Sequence, residues 1–193
     1  MLAIVLAGGL LTESKARADA ASSWHAHVAT SLGWTQGSHS GGLTIDALGL
    51  VGFHVVEAGL AADVATDLFG SSTALSLLGG LGLELDRLRL GLWAECGGVL
   101  YTGVGSNFLV EDPGVSALLP FAGARASVAL RALRGSGASA VWLGITAMRD
   151  SDLHTVTHSS TYTLDDNTVA TEQHQVGQDR WALLATVSVT AEL

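Results

Sequence analysis

Seven histidines, one cysteine and a scattering of hydroxyl and carboxylate groups are the residues of this chain equipped for chemistry. The tightest grouping is His158-Ser159-Ser160 with Glu172 further on. A serine nucleophile needs a histidine base and an orienting carboxylate, and on a strand His158 and Ser160 share a face. His154 and His158 are one helical turn apart, but no Glu follows the first, so the His-Glu-x-x-His pattern of zinc proteases is absent. His25 and His27 share a strand face and lack a third ligand. Cys96 has no partner for an internal disulfide, and its place in an apolar alternation makes it a small inert side chain. The pairs Gly79-Gly80 and Gly97-Gly98 fall inside strand patterns, where glycine marks a bend or a close approach rather than a phosphate loop. The expectation is therefore no catalysis, no metal and no cofactor, with His158, Ser160 and Glu172 as the rival hydrolase set.

The elements that would hold such groups are constrained by composition. Charged residues are 14% of 193, glycines number 24, and the mean hydropathy is +0.41. This is too apolar for an ordinary soluble enzyme or a disordered chain. A net charge of -9 has the wrong sign for a protein that wraps nucleic acid. The apolar run Leu2–Leu11, followed by Ala16-Arg17-Ala18 and Ala18-Asp19-Ala20, reads as the core and cleavage region of a secretory signal peptide spanning residues 1–20. No basic stretch precedes Leu2, so that signal reads as truncated at its start. Residues 21–193 then form one domain. No stretch of eighteen consecutive apolar residues occurs in them, which excludes helical spans. An exported, apolar chain without helical spans points to a closed β-barrel, the other structure that satisfies its backbone within lipid.

Period-two alternation supports this. Four segments carry charge-free apolar faces: Leu75 to Leu85, Leu88 to Leu100, Ala122 to Ala132 and Trp181 to Leu193. Asp86-Arg87 joins the first two as a two-residue hairpin turn. Weaker alternation places strands at 22–34, 43–54, 56–69 and 138–150. The fold class predicted is all-β, an eight-stranded antiparallel up-and-down transmembrane barrel. Trp24 and Trp34, ten residues apart on one face, together with Trp181, mark the aromatic girdles at the two membrane interfaces. Tight connections near Val55, at Asp86-Arg87 and at 134–137 alternate with longer ones at 35–42, 70–73, 102–118 and 151–178, the pattern of periplasmic turns and extracellular loops. The last loop holds Asp152, Asp165, Asp166 and Glu172 and no basic residue. Asp165, Asp166 and Asn167 suit a divalent-cation bridge to lipopolysaccharide.

The faces opposite the apolar ones carry the remaining charge. Asp46, Glu57, Asp63, Glu84, Arg89, Glu95, Arg125 and Arg131 would share a narrow interior, where unpaired charge is costly. The hairpin sets Glu84 directly across from Arg89, and Glu95 with Arg125 forms the mid-strand pair. A soluble lipocalin-like ligand-binding barrel has the same period, but must cover its exterior with charge that these faces lack.

The alternating segments after the signal region resemble the small eight-stranded outer-membrane proteins of Gram-negative bacteria, the OmpA/OmpX-type barrels. The stretch Trp181 to Val189 fits the family's closing strand, while Leu193 stands where the family has an aromatic end. The resemblance implies a monomer in the bacterial outer membrane, assembled by the barrel-assembly machinery. Its surroundings would be membrane lipids and lipopolysaccharide, and its lumen would be plugged by the Glu84, Arg89, Glu95, Arg125 and Arg131 network. A porin-like ion-selective pore is the alternative reading of that network. His158, Ser160 and Glu172 are also similar to the His-x-Ser and downstream Glu of the outer-membrane lipid A deacylases, although Thr161 stands where that family has Asn.

Overall fold

A computed structural model describes residues 24–37, 41–67, 70–104, 115–134, 139–163, 168–177 and 179–193. The signal-peptide reading of residues 1–20 lies outside the described residues, as do Asp165, Asp166 and Asn167. Ten strands run in chain order: β1 Trp24–Gly37, β2 Gly41–Phe53, β3 Val56–Asp67, β4 Gly70–Glu84, β5 Leu88–Val104, β6 Val115–Arg134, β7 Ala140–Asp152, β8 Val156–Thr163, β9 Val169–Val176 and β10 Asp179–Glu192. Eight of them close an antiparallel barrel in the order β1-β10-β7-β6-β5-β4-β3-β2, and β8 and β9 form a separate two-stranded sheet.

Alternation is what makes these strands barrel staves. In β4, Ser72, Ala74, Ser76 and Leu78 are buried in the interior, while Thr73, Leu75 and Leu77 face out. Outward leucines, valines and isoleucines are about half exposed on every stave, so the barrel has an apolar outside and a mixed, polar inside. That is the inverse of a water-soluble barrel. Cys96 faces out with them. Among the glycines, Gly80 and Gly97 sit where a Cβ would press into the backbone of the neighbouring strand, at Leu92 and Leu75 respectively. There the absent side chain permits close approach.

Register fixes the size. Followed through successive strand pairs, Ala117 of β6 leads round the barrel to Ser127 of the same strand, ten residues along. Eight strands with that stagger tilt by about 40° and enclose a lumen just wide enough for side chains. At that tilt, ten residues cover about 25 Å along the axis, the height of an outer-membrane apolar band. Trp24 and Trp34 are separated by that amount and both face out. Trp24 packs on Phe53 with ring centroids 5.4 Å apart. Trp181 stands across from Gln36, two residues from Trp34, so Trp34 and Trp181 lie together toward the other end of the barrel.

Two expectations change. The connections β1–β2 and β3–β4 span only residues 38–40 and 68–69, because hydrogen bonding carries those strands past the end of apolar alternation. The asymmetry between the two barrel ends therefore rests on residues 105–114 and 153–178. Within the last of these, a β-hairpin replaces the irregular loop expected from sequence: β8 and β9 pair over eight positions, from Val156↔Val176 to Thr163↔Val169. Both its faces are largely polar, so it lacks the apolar alternation by which strands are recognised.

Candidate functional site: the charged lumen and the outer hairpin

Three clusters of charge are stacked along the lumen. The first lies near the turn end, where β1, β3 and β5 begin. Glu57 is fully buried and receives Arg89 Nη2, Trp93 Nε1 at 2.9 Å and His25 Nε2 at 3.0 Å. Arg89 also meets His27 Nδ1 at 3.0 Å. Glu84, across from Arg89 in the register, approaches its Nη1 at 3.6 Å from the rim. Glycine makes the room: a Cβ at Gly82 would collide with the Glu57 carboxylate, at Gly91 with the Trp93 ring, and at Gly52 with the His25 ring.

The second cluster is central. Arg125 donates through Nε to Glu95 Oε2 at 2.8 Å and through Nη1 to Asp46 Oδ1 at 2.5 Å, with Asp63 3.9 Å from Nη2. Ser76 Oγ donates to Glu95 Oε2 at 3.1 Å. A planar guanidinium suits this role because its donors diverge in a fixed fork toward separate carboxylates. The strand register explains the pairing: Arg125 lies across from Trp93 and Glu95 across from Gly123, so the two are diagonal neighbours on the inner face.

The third cluster occupies the loop end. Arg180 reaches Asp150 Oδ2 at 3.3 Å and lies over the rings of Tyr101 and Phe121, 5.9 and 5.6 Å from their centroids. Tyr101 Oη donates to Asp152 Oδ2 at 2.5 Å. Val176, the last residue of β9, is buried in the same place among Val99, Leu119 and Phe121. This pins the base of the outer hairpin in the barrel mouth. Gly177 follows at φ 104°, a left-handed turn that glycine accepts without strain.

Across from the charged wall, β1, β7 and β10 present hydroxyls. Thr186 bonds Ser31 at 3.0 Å and Thr146 at 2.8 Å, and Trp142 Nε1 donates to Thr190 at 3.0 Å. Between the two walls is a cavity of about 10 Å³ lined by His27, Asp46, Trp93, Arg125 and Thr186 among others. This is room for about one water molecule.

Among the expected site residues, Arg89, Glu95 and Arg125 are buried in the lumen clusters and Glu84 is at their edge. Arg131 stands apart: it lies at the turn-end rim, 3.3 Å from Asp86 and 5.1 Å over the Trp142 ring. Trp24, Trp34 and Trp181 are 56%, 54% and 52% exposed, as membrane-facing positions would be in isolation. Asp150, Arg180 and Tyr101 are not among the residues that sequence reasoning singles out, and His27, singled out there only as a metal-ligand candidate, meets Arg89 instead. For Arg180 and Asp150 the available signal was parity, since each is offset by one residue from an outward-facing position. The hairpin register sets Ser160 across from Glu172 and His158 across from His174, on a sheet outside the barrel wall. Among the described residues, no group of three or more His, Cys, Asp or Glu forms a metal cage.

Comparison with known proteins identifies the fold and nothing finer. No protein-family model and no curated protein matches the chain. Among solved structures, it is similar to the crystal structure of Neisserial surface protein A (NspA), with a TM-score of 0.53 and 9% identity over 88% of this chain and 97% of that one. The N-terminal β-barrel domain of Pseudomonas aeruginosa OprF also aligns, at 13% identity and a TM-score of 0.43 over 86% of this chain and 97% of the other. The fold is that of the small eight-stranded outer-membrane barrels.

Proposed function

We propose that this chain is an outer-membrane barrel with a structural or surface-interaction role, its lumen closed by side chains and its β8–β9 hairpin displayed to the exterior. The carrying observation is the charge-poor apolar band on the outside of a closed barrel, bounded by Trp24 and Phe53 at one end and by Trp34 and Trp181 at the other. In this reading the protein is a monomer with no cofactor, no catalytic role and no nucleic-acid partner. It is delivered by the barrel-assembly machinery and surrounded by membrane lipids and lipopolysaccharide. The purified protein should fractionate with outer membranes and run at different positions on a gel before and after boiling. A detergent-free, water-soluble monomer would overturn the assignment.

Lumen closure is the second part of the proposal. Side chains of three stacked clusters, plus two buried tryptophans, occupy a tube that at eight strands has little space to spare. Planar bilayers containing the wild type should show little steady conductance, and Glu95→Ala should raise it by removing one wall of the central cluster. Large stable wild-type channels would contradict closure.

The orientation follows from the even strand number, which puts both barrel termini at the turn end, and from the long segments at the other. An epitope tag inserted between Asp166 and Asn167 should be reached by antibody on intact cells. Labelling that requires permeabilised outer membrane would reverse the topology.

A further inference from the structure

We propose that the lumen contains a proton-binding site, with one proton shared between the carboxyl groups of Glu95 and Asp150 where the central and loop-end clusters meet. The strand register brings the two together. Glu95 of β5 is across from Gly123 of β6, and Gly123 is across from Asp150 of β7, so the carboxyl groups flank a position that has no side chain. A Cβ at Gly123 would collide with Asp150 Oδ1, which reaches over the glycine and makes Glu95 its hydrogen-bond neighbour. The other oxygen of each group already has donors: Arg125 and Ser76 at Glu95 Oε2, Arg180 at Asp150 Oδ2. Glu95 Oε1 and Asp150 Oδ1 are buried and have no donor among the described residues. Two bare acceptors cannot bond one another, whereas a proton on either makes it a donor to the other.

Charge balance points to the same proton. Asp46, Glu57, Asp63, Glu95 and Asp150 are buried in the lumen against Arg89, Arg125 and Arg180. His27 of β1 accepts from Arg89 through Nδ1, so its ring is neutral. Even with His25 charged beside Glu57, carboxylates stay in excess. Glu95 is faced by Arg125 of β6, Asp46 of β2 and Asp63 of β3; Asp150 is faced by Arg180 of β10, Tyr101 of β5 and Asp63 again, with Asp152 of β7 beyond the tyrosine. From β4 come only the hydroxyls of Ser72 and Ser76. Two carboxylates in buried contact cannot both remain ionised, and sharing one proton removes the conflict. The site needs only the folded barrel, so it stands or falls separately from lumen closure.

The test uses the full chain refolded in detergent micelles, with heat-shifted gel mobility as the check that each variant is folded. At neutral pH the infrared spectrum of the wild type should contain the C=O stretch of a protonated carboxyl group, and that band should be lost in both Glu95→Gln and Asp150→Asn. Either amide supplies a permanent N–H donor to the bare oxygen opposite while its own carbonyl still accepts from the guanidinium, so both variants should fold. The proton also sets a pH dependence. Above about pH 5 the folded pair keeps a proton that the unfolded chain has released, so stability falls as pH rises. One proton corresponds to about a tenfold fall in the folding equilibrium per pH unit, and Glu95→Gln should be flatter than the wild type by that slope. A wild-type-minus-variant difference spectrum that lacks the band for either substitution overturns the proposal, as does equal pH dependence in the wild type and Glu95→Gln. A missing band together with stability that follows the identity of the alkali cation would overturn it in favour of a bound ion.

Discussion

Replacing Arg125 with leucine should destabilise the barrel by about 3–5 kcal/mol, the cost of stranding buried charge. The guanidinium stands between Asp46 and Glu95, with Asp63 just beyond, and all four side chains are buried. Without it, three buried carboxylates face one another across the lumen. Urea unfolding of the refolded protein in micelles, followed by tryptophan fluorescence, should show the midpoint falling accordingly. Arg125→Lys should recover part of the loss, because an ammonium supplies the charge without the fork that reaches Glu95 and Asp46 together. A loss below about 1 kcal/mol would place the cluster among solvated pairs, which contribute little. It would then argue for a water-filled lumen.

That cluster shows how far the sequence could be read. Parity was enough to assign Arg125, Glu95, Asp46 and Asp63 to the interior, because each alternates with an apolar residue that must face lipid. Parity also separates Trp93, which faces in and bonds Glu57, from Trp34, which faces out. Contacts across the lumen are another matter. Arg89 lies across from Glu84 in the two-residue hairpin, yet its closest carboxylate belongs to Glu57, on the far side of β4. The number of strands and their stagger decide which inward residues meet, and stagger accumulates through every connection. The outer hairpin was hidden for a different reason. Beyond the Val156–Val176 pair packed at its base, its residues are mostly polar on both faces, and strands so composed leave no sustained hydrophobic period. The extension of β5 and β6 beyond the apolar band was likewise unsignalled, since backbone pairing continued after the alternation had stopped.

Charge placed on the outer face should be nearly as damaging as charge stranded inside, and for the opposite reason. Ile145 is an outward residue in the middle of β7, flanked in register by Val128 of β6 and Ala185 of β10. It is 50% exposed in the isolated chain, so no protein group covers it. In a bilayer that exposure is to hydrocarbon, and Ile145→Arg should cost about 2–4 kcal/mol, as expected for a cation near the membrane midplane. The same substitution at Leu153, just past the loop end of β7 and 60% exposed, should cost less than about 1 kcal/mol, because the depth-dependent penalty fades toward the interface. Folding equilibria into phospholipid vesicles would measure both. The contrast between the two sites separates a membrane from water as the barrel's surroundings: a water-facing barrel would tolerate arginine at Ile145 as readily as at Leu153. Equal effects at the two positions would therefore exclude the bilayer, whatever the fold.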